Sequence, residues 1–231
     1  MTTMTNPDTT AVPERSRGGA IGALIAAGTF VFGIALFVSS LSDYTTADAT
    51  PAESADFLIG HQGTLYVWYL VIFLVFGVAI IPLARSLRQR LADVNPGLAD
   101  IGAVFGFIWA GLMFATGMIS NIGIAAVADL HESDPDAATQ LWSSIDAVTE
   151  GLGGGNELVG GVWILLVSVA AWGSGRLPTG LNVLGIVSAV AALVTLIPGL
   201  SDVGMIFGLG SIAWFACVGV VLLRTSDRIR S

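Results

Sequence analysis

Six apolar stretches separated by short polar segments set the rhythm of this chain, at about 19–41, 64–83, 101–125, 158–172, 181–198 and 203–223. A helix crossing about 30 Å of hydrocarbon needs about 20 apolar residues at 1.5 Å each. The first, third and sixth stretches meet that length outright, and the second and fifth come close. The fourth supplies an uncharged run of only about 15 residues, roughly 22 Å. A spanning helix there is predicted to begin further back, with Asn156 and Glu157. The pattern predicts an all-α fold, an integral membrane bundle of six transmembrane helices. Residues 18–224 form the bundle, 1–17 a disordered cytoplasmic tail and 225–231 a second tail.

The segments between the stretches carry their own helix signals. Thr50-Pro51-Ala52-Glu53 combines a cap residue, proline at the first helical position and glutamate three residues after the cap. That is a capping-box signature, and the helix it opens is expected to run on through Gly60 and Gly63 into the second span. Pro82 is expected to bend or end that span. In the longest outer segment, Ser133-Asp134-Pro135-Asp136 opens another helix. Ala138, Leu141, Trp142, Ile145, Val148 and Leu152 then recur at three- and four-residue spacing, with Asp146 and Glu150 elsewhere on the surface. An interfacial helix usually carries a basic polar face and this one is acidic. It reads as a short amphipathic lid over the bundle, anchored by Trp142 and followed by the glycine-rich joint 151–155.

Composition and charge orient the spans. Hydrophobic residues make up 54% of the chain and charged ones 11%, against about 25% charged in soluble domains. Nine arginines and no lysines face 17 acids, a net charge of −8 that excludes a basic nucleic-acid footprint. In the six-span reading every arginine falls on one side: Arg15 and Arg17, Arg85, Arg88 and Arg90, Arg176, then Arg224, Arg228 and Arg230. That side is expected to be cytoplasmic, placing both termini inside. The first apolar run is too long for the roughly 7–15 residue core of a signal peptide and lacks a small-residue cleavage site, so it is read as retained. The plasma membrane of a prokaryote follows, since the missing lysine and abundant Ala and Gly suggest a GC-rich genome.

The chemistry-bearing residues are few. Sorted by depth, His61, Asn121, Asn156, Glu157 and Asp202 stand near the outer level of their helices. A submerged carboxylate is costly unless paired, which makes this ring around Glu157 a candidate ligand or ion site. The bland alternative is a structural network, with Glu157 capping free N–H groups and favoured by the helix dipole. His61, His131, Glu157 and Asp202 have no metal-ligand spacing, and no phosphate-binding glycine loop or metalloprotease helix occurs, so neither metal nor cofactor is expected. Gly204-x-x-x-Gly208 and Gly111-x-x-x-Ala115 are read as close helix contacts. Trp109 and Trp214 are read as buried packing residues whose indole N–H groups find partners on neighbouring helices. Cys217 is read as a small apolar packing residue.

The stretch Gly155-Asn156-Glu157-Leu158-Val159-Gly160-Gly161-Val162-Trp163 is followed by Gly175-Arg176-Leu177-Pro178, Leu184-Gly185-Ile186-Val187, Leu196-Ile197-Pro198 and Phe207-Gly208-Leu209-Gly210 with Trp214. Over roughly the last third of the chain it resembles a prokaryotic multi-pass membrane family catalogued as a domain of unknown function. The Asn-Glu-x-x-Gly-Gly-x-Trp piece carries most of that likeness. The resemblance implies a multi-pass membrane protein and brings no catalytic residue with it.

Three functions compete. The first is a non-enzymatic membrane protein that senses, scaffolds or binds a partner, with the bilayer and a membrane protein or a second copy as its partners. The second is a small transporter or outward-facing binding protein using the ring around Glu157. The third is a membrane enzyme acting on a lipid, with Glu157 and His61 as acid and base.

Overall fold

The computed structural model describes residues 12–41, 50–154, 157–197, 199–200 and 203–228, with the side chains of 12–16, 153–154, 157 and 225–228 outside that description. Within these residues the fold is helical throughout. Helix α1 (Val12–Leu36) ends in a π-helical turn, Phe37–Leu41. Helices α2 (Pro51–Gly60) and α3 (Gln62–Tyr69) meet at His61, and α3 continues through a π turn, Leu70–Val75, into α4 (Phe76–Leu91). Helix α5 (Pro96–His131) is the longest, α6 is Pro135–Thr149, and a π turn at Glu150–Gly154 follows it. Helices α7 (Glu157–Ala171), α8 (Thr179–Val194) and α9 (Gly204–Arg228) complete the chain.

Four helical stretches are long and apolar enough to cross a membrane: Arg17–Leu41, Gln62–Leu91, Pro96–His131 and Gly204–Arg224. Two further apolar helices, Leu158–Ala171 and Thr179–Val194, are shorter. Large apolar side chains point outward from all six, among them Ile21, Val78, Ile101, Val169, Val187 and Leu209. A continuous apolar exterior of this kind suits lipid and not water.

The six helices close into a ring in chain order, each packed on its predecessor and successor, with α9 returning to α1. Glycine contacts show that every neighbouring pair runs antiparallel. A Cβ on Gly22 of α1 would lie 2.4 Å from the Ala79 carbonyl oxygen of α4, whereas one on Gly33, further along α1, would meet Ile72 at 2.8 Å. On α5 and α7 the relation is reciprocal. Gly106 lies under the Trp163 indole, and Gly160 lies under the Trp109 ring. Gly161 and Gly185 set the α7–α8 and α8–α9 contacts against Ala192 and Trp214. Gly219 sets Leu24 and Ala20 of α1 against α9. Helices in lipid gain little from apolar burial against each other, so close backbone approach at small residues holds such a ring together.

An aromatic cluster fills the centre. Phe30, Phe76, Trp109, Trp163, Trp214 and Phe215 come from five helices, and their ring centroids lie within 6.2 Å of a neighbour's. The Phe76–Trp109 and Trp163–Trp214 pairs meet edge to face at 4.9 and 5.6 Å, the geometry the ring quadrupoles favour.

Arginines gather at one end. Arg88 Nε donates to Asp100 at 2.6 Å, Arg176 pairs with Asp93, and Arg90 Nε donates to the Arg176 carbonyl at 2.8 Å. The α7–α8 turn there is closed by Gly173 and Gly175, both at φ 70°, where a side chain would be strained. At the other end, α6 lies across the extension of α5 and touches α2. Asp134 caps α6 by accepting from the Ala137 amide at 3.0 Å, and Trp142 and Ala138 are buried beneath it. Val148 departs from the expected apolar face and is exposed.

Other expectations change in detail. Helix α1 starts at Val12, within the segment read as a tail, and α9 runs to Arg228, within the second. The outer helix does not run straight into the second span. The His61 ring nitrogen Nδ1 bonds its own helix at the Phe57 carbonyl, 2.9 Å away, and the chain turns there between two glycines. Pro82 does not end its helix, which continues to Leu91 packed on Gly22.

Candidate functional site

Of the sequence-predicted site residues, the structure describes the side chains of His61 and Asn121. His61 is exposed at the α2–α3 junction, with its ring stacked on Phe57 at 4.0 Å. Asn121 is half-buried on α5, its Oδ1 sealed from solvent and without a hydrogen-bond partner among the described residues. Nothing joins the two by a hydrogen bond. Glu157 opens α7, while Asn156 and Asp202 lie outside the described residues, as does the Glu157 side chain.

Sequence reasoning missed several of the polar groups that the fold buries. Thr116 and Ser120, successive turns of α5 ahead of Asn121, have hydroxyls without partners among the described residues. A second set lies among α7, α8 and α9, formed by Ser168, Asn182, Ser211 and the indole N–H groups of Trp163 and Trp214. The Ser168 hydroxyl and the Trp214 nitrogen converge on Gly185, 2.1 and 2.7 Å from where its Cβ would stand. The expected partner for the Trp214 N–H is therefore absent among the described residues. Spacing places Thr116 and Ser120 on one face of α5 but does not reveal what faces them.

One concavity of the structure is apolar. A cavity of about 280 Å³ lies above the aromatic cluster, walled by Phe30, Trp68, Phe76, Trp109, Met113 and Phe207. Two of its polar side chains are engaged within the protein, since Thr29 donates to the Ala26 carbonyl at 2.8 Å and Trp68 Nε1 to the Gly33 carbonyl at 3.1 Å. Among the described residues, no titratable side chain lines it. Gly33, Gly204 and Gly208 complete its rim. This corrects the reading of Gly204-x-x-x-Gly208 as a close contact, because nothing lies within 4 Å of a Cβ on Gly208. Gly111 likewise meets nothing within 4 Å, and Cys217 is exposed on the outer surface of α9 instead of packed inside.

Two acids on the lid are perturbed. Desolvation raises the Asp146 carboxyl above its ordinary range. Desolvation, and then the charge of Asp146 one turn away, raises Glu150. At the other outer helix the Thr50 amide and hydroxyl bond Glu53 at 2.7 and 2.8 Å, which lowers the Glu53 carboxyl.

The Asn-Glu-x-x-Gly-Gly-x-Trp piece now has a physical meaning in its second half. Gly160 admits the Trp109 ring, Gly161 admits Ala192, and Trp163 reaches the centre. Comparison with curated proteins and with solved structures finds no match in either. The model of a family described as a domain of unknown function, DUF4386, matches residues 20–225. An apolar helical ring matched over nearly its whole length makes this chain a member of the DUF4386 family.

Proposed function

We propose that this protein is a six-span membrane protein with both termini in the cytoplasm, a non-enzymatic receptor that takes an apolar ligand into the cavity away from its arginines. One observation carries the reading: the cavity is walled by aromatic rings, and its Thr29 hydroxyl and Trp68 N–H are already bonded within the protein. Such a wall binds without offering an acid, a base or a nucleophile. Alternating helix direction supports six crossings, and the shorter α7 and α8 are held between longer neighbours. The arginines at one end support the orientation. Binding of the fluorescent apolar probe N-phenyl-1-naphthylamine to the purified protein tests the reading. Trp68→Ala and Phe207→Ala, each removing a wall, are expected to weaken binding about tenfold, equivalent to about 1.4 kcal/mol. Unchanged affinity in both variants would remove the cavity from consideration.

A second reading keeps Glu157, Asn156, His61, Asn121 and Asp202 as a polar binding or transport site. It is favoured by the run of unpartnered oxygens at Thr116, Ser120 and Asn121 on the same helix. Liposome flux of a polar solute that survives Glu157→Gln unaltered would reject it.

A further inference from the structure

We propose that the occupant of the cavity is the acyl chain of a bilayer lipid, admitted sideways through the seam between α1 and α9. The proposal rests on the cavity reading above and narrows its ligand to one class. Depth is the first argument. Gly208 and Ile34 stand about 24 and 26 Å along their helices from Arg224 and Arg17, inside the roughly 30 Å of hydrocarbon. A polar ligand at this level would give up hydration and find little to replace it among the described lining residues, since Thr29 and Trp68 already bond Ala26 and Gly33. A hydrocarbon chain gives up nothing. The volume of about 280 Å³ accommodates roughly nine chain carbons if each takes about the 30 Å³ of a water molecule.

The seam supplies the route. Near the arginines it is shut, because a Cβ on Gly219 would lie 2.8 Å from Leu24 and one on Gly19 would lie 3.4 Å from Leu222. Towards the cavity it parts. Gly208 faces open space, and Ile34 lines the cavity while remaining 45% exposed. The adjoining surface of α9 presents Met205, Ile206 and Leu209, all exposed and apolar. This is also the place where the first and last helices of the ring meet, so no loop joins α1 to α9 and the pair can spread without dragging a connection.

Quenching by brominated lipid tests the proposal on the full-length protein. Trp109 lines the cavity and is fully buried, so chains of the surrounding bilayer cannot touch it. The protein is placed in phosphatidylcholine vesicles with chains brominated at carbons 9 and 10, and in unbrominated ones. The Trp109 share of emission is taken as the difference between wild type and Trp109→Phe. That share is expected to fall by about half in brominated vesicles. The loss is expected to disappear in Gly208→Leu, which fills the parted seam, and in Ile34→Phe, which narrows it from α1, with thermal unfolding confirming that each variant folds. Trp109 emission indifferent to brominated chains, while N-phenyl-1-naphthylamine still binds, would overturn the lipid proposal and leave the cavity reading intact. Indifference to both probes would overturn both. Quenching undiminished in both seam variants would overturn the lateral route.

Discussion

Where α1, α4 and α9 meet beside the arginines, glycines on α1 and α9 sit so close to the Ala79 carbonyl, Ser86 and Leu24 that a Cβ would force them to shift. Where α1 and α9 approach the opposite end, Gly28 and Gly208 meet nothing. The first region is knitted by backbone contact and by arginines bonded to Asp93, Asp100 and a turn carbonyl. The second is propped open by large aromatic rings around a void. Glycine has opposite meanings in the two places: in one it brings helices together, in the other it leaves room between them. The same small-residue pattern therefore fixes stability at one end and access at the other.

The largest effect is expected where the regions join. Trp163 is fully buried between Gly106, Trp109 and Trp214, so Trp163→Ala should destabilise by about 3–5 kcal/mol. Thermal unfolding in detergent checks this, and a loss under 1 kcal/mol would show that the cluster is not the keystone between the two ends. Next comes Gly22→Val. Its side chain would press on the Ala79 carbonyl oxygen, which has no rotamer to escape into, at an expected cost of about 1–3 kcal/mol.

Gly208→Leu sharpens the contrast. A side chain there enters open space, and the same assay should register a change within about 0.5 kcal/mol. Equal penalties at Gly22 and Gly208 would erase the distinction between a sealed and a parted seam.

The smallest effect concerns the lid. Desolvation, and after it the neighbouring Asp146 charge, work against the ionised form of Glu150. Its folded pKa is raised, so the folded form holds more protons than the unfolded one, and the cost appears as pH rises through the carboxylate range. Glu150→Gln should stabilise α6 by about 0.2–0.5 kcal/mol at pH 7, read as slower hydrogen exchange over Pro135–Thr149. The gain should fade as pH drops and the wild-type carboxyl protonates. A gain that grows at low pH would contradict the assignment.

Much of the architecture was legible because lipid imposes simple rules. Length and apolarity marked all six helices, and the caps at Thr50 and Asp134 carry the hydrogen bonds their spacing predicts. What escaped depends on rotation about helix axes. Nothing in a run such as Gly111 or Gly208 states which way it faces, and both proved to face away from their neighbours. Cys217 turned outward for the same reason. Continuity through Gly60 and Gly63 is broken at His61, whose ring Nδ1 and backbone N–H both donate to the Phe57 carbonyl. The cavity was invisible in the sequence, since its walls come from α1, α3, α4, α5 and α9 and no local pattern names them. Of the candidate site residues, only His61 and Asn121 lie fully within the described structure.

Labelling of single cysteines in a Cys217→Ser background with a membrane-impermeant maleimide tests the alternating ring and its orientation most directly. Thr139→Cys on the lid helix is expected to react on intact cells, while Arg88→Cys and Arg176→Cys react only after the membrane is opened. Reaction of either arginine position on intact cells would contradict the account.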